Sequence, residues 1–427
     1  MREIVFEQLN ETLYYEKLEN GLDVYILPKE GFNKTYATFT TKYGSIDNHF
    51  VPLKEKDAIR VPDGIAHFLE HKLFEKEDGD VFQSFSKQGA SANAFTSFTR
   101  TAYLFSSTSN VLPNLETLLD FVQEPYFTDQ TVEKEKGIIG QEIRMYDDNA
   151  DTRLFYGLIG NMYHNHPVKI DIAGTIESIS ETTKEHLYQC YETFYHPSNM
   201  LLFVVGPVNP NEYFSFIKEN QQKKQFEKEQ PIQRFFENEP EAVVKAKSEI
   251  KMPIQTPKCM IGYKAKKPNR KGNELLKHEL TANVALDMLF GQSSPHYTML
   301  YEKGLIDDSF SFDYTEEYGF GFAMIGGDTT DPDGFEKAIK NIIAEQKANG
   351  FDEKVLDRIR KKKIGSFLRA LNSPEYIANQ FTRYKFNDMD LFAIVNVLES
   401  MTIKDVNDVL HVLFEKDRET VFTIMPK

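Results

Sequence analysis

Asp63-Gly64-Ile65-Ala66-His67-Phe68-Leu69-Glu70-His71-Lys72-Leu73-Phe74 is the stretch on which the reading of the chain turns. As a helix opened by Asp63 and running to about Glu75, it sets His67 and His71 four apart on one face, with Glu70 at the border of that face. Ala66, Leu69 and Leu73 form an apolar stripe beside it. The helix can therefore bury one stripe and turn the other toward a cleft. Two imidazoles and a carboxylate at this spacing make a zinc arrangement with a base built in. The bland alternative is a helix with two core-edge histidines and an ordinary surface glutamate, so the rest of the chain has to decide.

The totals narrow the field. A length of 427 residues predicts two domains. With 41% hydrophobic and 27% charged residues there is ample apolar material for large cores. A net charge of −15 argues against a nucleic-acid partner, which wants a clustered basic surface. Cys190 and Cys259 lack C-x-x-C spacing, so neither a thiolate metal site nor a redox pair is signalled. Two free buried thiols fit a reducing cytosol. The first residues, Met1 to Gln8, hold no apolar run, and the longest apolar stretch, Met200 to Val205, is too short to span a bilayer. The expectation is a cytoplasmic, soluble protein without a membrane partner.

Working outward from the histidines, residues 22–27 and 35–45 read as strands and 80–88 as a helix. The run from Gly89 to Phe105 opens with small residues and turns β-rich, its alternation giving a strand with two distinct faces. Helices follow over 110–125, 128–147, 152–163 and 181–194, then a strand over 200–208 and a helix over 210–222. Gly137 and Gly140 inside the long helix cost about 1 kcal/mol each against Ala, which raises the expectation of another helix close by.

The second half repeats the first. Phe127-Thr128-Asp129 is echoed at Phe351-Asp352-Glu353, Glu177-Ser178-Ile179 at Glu399-Ser400-Met401, and Leu201-Leu202-Phe203 at Val421-Phe422-Thr423. The separations are 224, 222 and 220 residues. Near-constant offsets predict a duplicated α/β unit: domain 1–222, a charged linker over 223–242, and a homologous domain 243–427. The copies differ where it matters. Glu142 falls on Ser366 and Glu135 on Ile359, and the region answering to the histidines, Val284 to Gly291, contains none.

Two histidines leave a catalytic zinc site one protein ligand short. Glu133, Glu135 and Glu142 on the long helix are the candidates. Glu135 and Glu142 lie seven apart, about 10.5 Å along one face. Glu142 could reach a metal, and Glu135 is then better placed to hold a ligand histidine. The alternative is two surface glutamates on a charged helix.

At this point the chain resembles the pitrilysin/insulinase zinc metallopeptidases, the inverzincins. The resemblance rests on His67-Phe68-Leu69-Glu70-His71, on Glu142 lying 71 residues beyond His71 with Glu135 seven before it, and on Gly89, Asn93-Ala94-Phe95-Thr96 and Tyr103. It covers nearly the whole chain, and the two-domain form is similar to subunits of the mitochondrial processing peptidase. It implies an α/β (α+β) fold of two duplicated domains, each a mostly antiparallel sheet with helices packed on it. It implies that His67, His71 and Glu142 hold Zn2+, that Glu70 is the general base and that Glu135 supports the ligand set. Ala92, Asn93, Ala94, Phe95 and Thr96 would take an extended peptide by main-chain pairing. The activity implied is a zinc-dependent metalloendopeptidase acting on unfolded or small peptides; the alternative is a non-catalytic assembly or processing-complex subunit of the same fold.

One departure from the family pattern concerns a partner. The family also binds the substrate carbonyl with an Arg and a Tyr from the silent half, yet Gly319 to Gly326 contains no Arg, and Ser293-Ser294-Pro295-His296 stands where Ser-Ser-Arg is usual. Tyr297 and Tyr301 lie nearby without it. The family's chamber is also built from four such domains, and this chain has two. Both points imply a heterodimer with a paralogue that lacks the zinc motif and supplies the Arg/Tyr pair, with a homodimer as the rival.

Overall fold

The computed structural model describes residues 1–266 and 268–427, and every count of elements is of those residues. The chain forms two compact units. The first gathers Met1–Ile143, Asp171–Phe236 and Ala370–Phe386; the second gathers Arg144–Ile170, Glu237–Arg369 and Asn387–Lys427.

Met200-Leu201-Leu202-Phe203-Val204-Val205-Gly206 is an unbroken apolar run, and a strand with no polar side must be covered on both faces. The first unit does this. It holds a seven-stranded sheet in the order Arg2–Phe6, Glu11–Lys17, Asp23–Pro28, Met200–Gly206, Thr35–Thr41, Thr101–Ser107, Ser91–Thr96. Every residue of the central strands Met200–Gly206 and Thr35–Thr41 is buried. Helix Val111–Gln123 packs on Thr35–Thr41 and Thr101–Ser107. Helix Pro374–Phe386 packs on Met200–Gly206 and Thr35–Thr41, with Phe381 against Phe203 and Tyr25 at ring separations of 4.6 and 4.8 Å.

The second unit has a five-stranded sheet in the order Lys247–Met252, Glu419–Pro426, Lys258–Lys264, Phe320–Asp328, Ser311–Glu317. Helix Ala150–Met162 lies on Glu419–Pro426 and Lys258–Lys264. The approach is close enough that a Cβ on Gly157 would sit 2.2 Å from the Phe422 ring.

Among the described residues each of the two sheets has one parallel pairing, Asp23–Pro28 with Met200–Gly206 and Lys247–Met252 with Glu419–Pro426. All other pairings within the two sheets are antiparallel. The chain is thus a duplicated α/β protein with mostly antiparallel sheets. The duplication carries an exchange: helix Ala150–Met162, written in the first half, belongs to the second unit, and helix Pro374–Phe386, written in the second half, belongs to the first.

Two local expectations are corrected. Asp63 does not cap the histidine helix, which spans Ile65–Leu73 behind Gly64 at φ +89° with no side-chain cap. The Asp63 carboxylate instead accepts from Asn48 Nδ2 at 2.7 Å. Gly137 and Gly140 do not mark a close helix contact, since a Cβ at either would meet nothing within 4 Å. Both cysteines are free and buried, and burial pushes each thiol up to about 12. Among the described residues no helix is long and apolar enough to cross a membrane.

The stretch between the sheets is anchored on each unit. In the first, Arg234 Nε donates to the buried Asp47 carboxylate at 2.8 Å. In the second, the Glu239 carboxylate accepts the backbone N–H groups of His164, Asn165 and His166 at 2.9, 2.7 and 2.8 Å, together with the buried Lys264 ammonium.

Candidate functional site

The site is built in the first unit where helix Ile65–Leu73 faces the long helix Asp129–Asp147. Ala66, Leu69 and Leu73 are sunk in the core. That anchoring turns the neighbouring stripe, with His67, Glu70 and His71, toward Glu135 and Glu142. Gly64 sets the angle of the helix: a Cβ there would lie 2.3 Å from the Ala173 carbonyl oxygen, and Ser178 Oγ donates to the Asp63 carbonyl at 2.8 Å.

The structure brings His67, His71 and Glu142 together, with one potential ligand atom from each lying within 4.8 Å of the other two. His67 Nε2 lies 3.7 Å from Glu142 Oε1, and His71 Nε2 lies 3.7 Å from Glu142 Oε2. These separations are too long for hydrogen bonds. Ligand atoms about 2.1 Å from one ion at tetrahedral angles lie about 3.4 Å apart. Each imidazole nitrogen lies 3.7 Å from one of the two Glu142 oxygens, close to that spacing, so the three side chains fit a zinc ion between them. His71 Nδ1 meets Glu135 Oε1 at 3.0 Å, which aims its Nε2 at Glu142. His67 has no such support: among the described residues its buried Nδ1 finds no hydrogen-bond partner.

The electrostatics separate these groups. Burial, with the neighbouring His71, pushes His67 down to about 4, so the metal-free imidazole is neutral and its nitrogen available to a ligand. Burial also lowers His71, but the Glu135 bond and the charges of Glu70, Glu135 and Glu142 outweigh it and hold the ring above its ordinary value. Burial raises the Glu70 carboxyl, against the pull of Thr96 and His71. Glu70 is only 8% exposed, and Thr96 Oγ1 donates to its Oε2 at 2.6 Å. The Thr96 bond carried no sequence signal, because the two residues lie on different elements 26 positions apart.

Ala92, Asn93, Ala94, Phe95 and Thr96 all sit on strand Ser91–Thr96. It is the last strand of its sheet and pairs only with Thr101–Ser107, Thr96 opposite Thr101 and Ala92 opposite Phe105. Asn93 Oδ1 accepts from the Ala94 N–H at 2.9 Å, so that donor is already engaged. A cleft of about 720 Å³ runs from Glu70 and His71 past Phe74 and Phe82 to Asn93 and Ala94. Tyr297 and Tyr301 stack on one another in the second unit at 6.2 Å, and Arg270 there is committed to the buried Glu316 at 3.1 and 3.0 Å.

A chain with this fold and this donor set is a metallopeptidase-like protein, and the comparisons say of which kind. Residues 56–176 match the family described as Insulinase (Peptidase family M16), and residues 181–363 match the Peptidase M16 inactive domain. The chain is 64% identical over 427 residues to a Bacillus subtilis (strain 168) protein described as the uncharacterized zinc protease YmfH, covering 100% of both. The crystal structure of an M16-like peptidase from Alicyclobacillus acidocaldarius superposes with a TM-score of 0.96 at 38% identity, covering 99% of this chain and 100% of that one. Pitrilysin shares the fold at a TM-score of 0.74 and 18% identity, with 98% of this chain covering 45% of that chain. The chain belongs to the peptidase M16 (insulinase) family.

Proposed function

We propose that the chain is a zinc-dependent metalloendopeptidase that hydrolyses peptide bonds in unfolded or small peptides. The observation that carries this is the convergence of His67, His71 and Glu142 beside the buried Glu70, next to an open sheet edge. The zinc-protease name of its Bacillus relative agrees.

His67, His71 and Glu142 would hold the metal, and Glu135 would keep the His71 ring in its ligating orientation through Nδ1. A bound zinc ion polarises a peptide carbonyl and makes water a nucleophile near pH 7. Strand Ser91–Thr96 lays the substrate out as an added strand, which selects for extended shape more than for sequence. Ala92 to Thr96 supply the pairing edge. Glu70 takes the proton from the attacking water at Oε1, the oxygen that Thr96 does not engage. As the C–N bond breaks, the same oxygen delivers that proton to the leaving amine nitrogen.

A partner chain that completes the chamber is part of this reading, because Gly319 to Gly326 contains no Arg for the substrate carbonyl. The partner is a paralogue without the zinc motif that brings the Arg/Tyr pair. Co-purification that yields only self-dimers with full activity removes the paralogue.

The test of the activity is Glu70→Gln. The variant keeps one zinc per chain by metal analysis and loses about 10²- to 10⁴-fold in kcat on a quenched peptide. Cleavage at the wild-type rate overturns the assignment.

A further inference from the structure

Thr96 closes the edge strand, and its hydroxyl is spent on a group of a different element. Oγ1 donates to Glu70 Oε2 at 2.6 Å, a short charge-assisted bond. The residue is itself held from two sides. Across the sheet, Thr101 stands in register with it at an Oγ1···Oγ1 distance of 3.4 Å. Thr101 commits its own proton to the Tyr43 carbonyl at 2.9 Å, and the Tyr43 ring is fully buried and stacked on Phe194 at 4.2 Å. The turn that follows is pinned by Ser45 N–H to Ser97 O at 3.0 Å and Ile46 N–H to Phe98 O at 3.1 Å. A β-branched side chain is stiff at χ1, so a hydroxyl mounted this way points in one direction.

We infer that Thr96 is a positioning residue, whose hydroxyl holds the Glu70 carboxylate in place and ties it to the strand that receives the peptide. This rests on the reading of Glu70 as the base. A glutamate on a helix has three side-chain torsions and keeps a productive pose only if something selects it. Thr96 selects it through one oxygen and leaves the other for the proton. Because the hydroxyl sits on the substrate strand, the base and the bound peptide share one frame. The competing explanation is a hydroxyl that only satisfies a buried carboxylate. That role predicts a loss of stability with no specific loss of turnover.

Four proteins decide between them: wild type, Thr96→Val, Thr96→Ser and Glu70→Gln, each assayed on a quenched peptide, weighed for zinc and crystallised. In Thr96→Val, kcat falls about ten- to a hundredfold, the range set by losing one hydrogen bond to a charged group, while KM and zinc content hold. Thr96→Ser, which keeps the hydroxyl, recovers most of the rate. In the Thr96→Val crystal structure the Glu70 carboxylate leaves its wild-type position. Wild-type kcat in Thr96→Val, a loss carried by KM, or Thr96→Ser as slow as Thr96→Val overturns the inference. If wild type and Glu70→Gln cleave alike, the reading of Glu70 as base fails instead. The positioning claim is then decided by the crystal structures, where an unmoved Glu70 in Thr96→Val overturns it.

Discussion

Glu135 and His166 show how single buried groups act at the scale of the residue. Glu135 is 7% exposed and spends its carboxylate on His71 Nδ1. Glu135→Ala should weaken zinc binding about 10- to 100-fold, read as zinc retained against a competing chelator. His166 is buried, and its Nδ1 accepts from the Val168 N–H at 3.1 Å, a bond only the neutral ring can make. Burial, with Lys264 opposed by Glu239, pushes it down to about 4. Between about 4 and its unfolded value near 6.5 the unfolded chain binds a proton that the folded one does not. Stability from this group is therefore complete above about 6.5 and falls by about 3 kcal/mol as pH drops toward 4. His166→Asn, which keeps an acceptor for the turn, should flatten that slope in urea unfolding followed from pH 7 to pH 4. The seven-residue spacing of Glu135 and Glu142 was legible in the sequence because helical geometry is local. The Thr96–Glu70 bond was not, since it joins a strand to a helix and has no period.

The elements were legible to the extent that their patterns were strong. The long helix and helices Val111–Gln123, Lys184–Phe194 and Pro210–Gln222 lie within a few residues of where apolar periodicity puts them. The strands Arg2–Phe6 and Glu11–Lys17 escaped, because an edge pair with one wet face is rich in Glu and Lys and lacks the apolar run that marks a central strand. The start of the histidine helix was misassigned to Asp63, since a capping residue in sequence does not show that its carboxylate prefers Asn48. What positions that helix is Gly64, in the left-handed region and packed on the Ala173–Gly174 backbone. Gly64→Ala should cost at least about 1–3 kcal/mol from the backbone conformation alone, with more from the clash. A lowered Tm together with weakened zinc binding checks it; a shift in neither would show that the loop yields freely.

The duplication was visible in the sequence of the whole molecule as three echoes at similar offsets, but the exchange of helices was not. Amphipathic periodicity says that Pro374–Phe386 must cover something; it does not say which sheet. Residues 1–236 expressed alone lack the helix whose Phe381 covers Tyr25 and Phe203, and they carry Ala150–Met162 without the sheet it covers. Such a fragment should aggregate or bind a hydrophobic dye, whereas the full chain does not. A soluble, cooperatively melting fragment would refute this. The exchange also bears on ancestry. Two copies of a single-unit ancestor trading this helix form a domain-swapped dimer, and joining their genes end to end makes each half the other's permanent, concentration-independent neighbour. From then on neither half can be deleted or shuffled into another gene by itself. The half without the zinc motif thus lends the first unit a helix of its core, whatever becomes of its own chemistry.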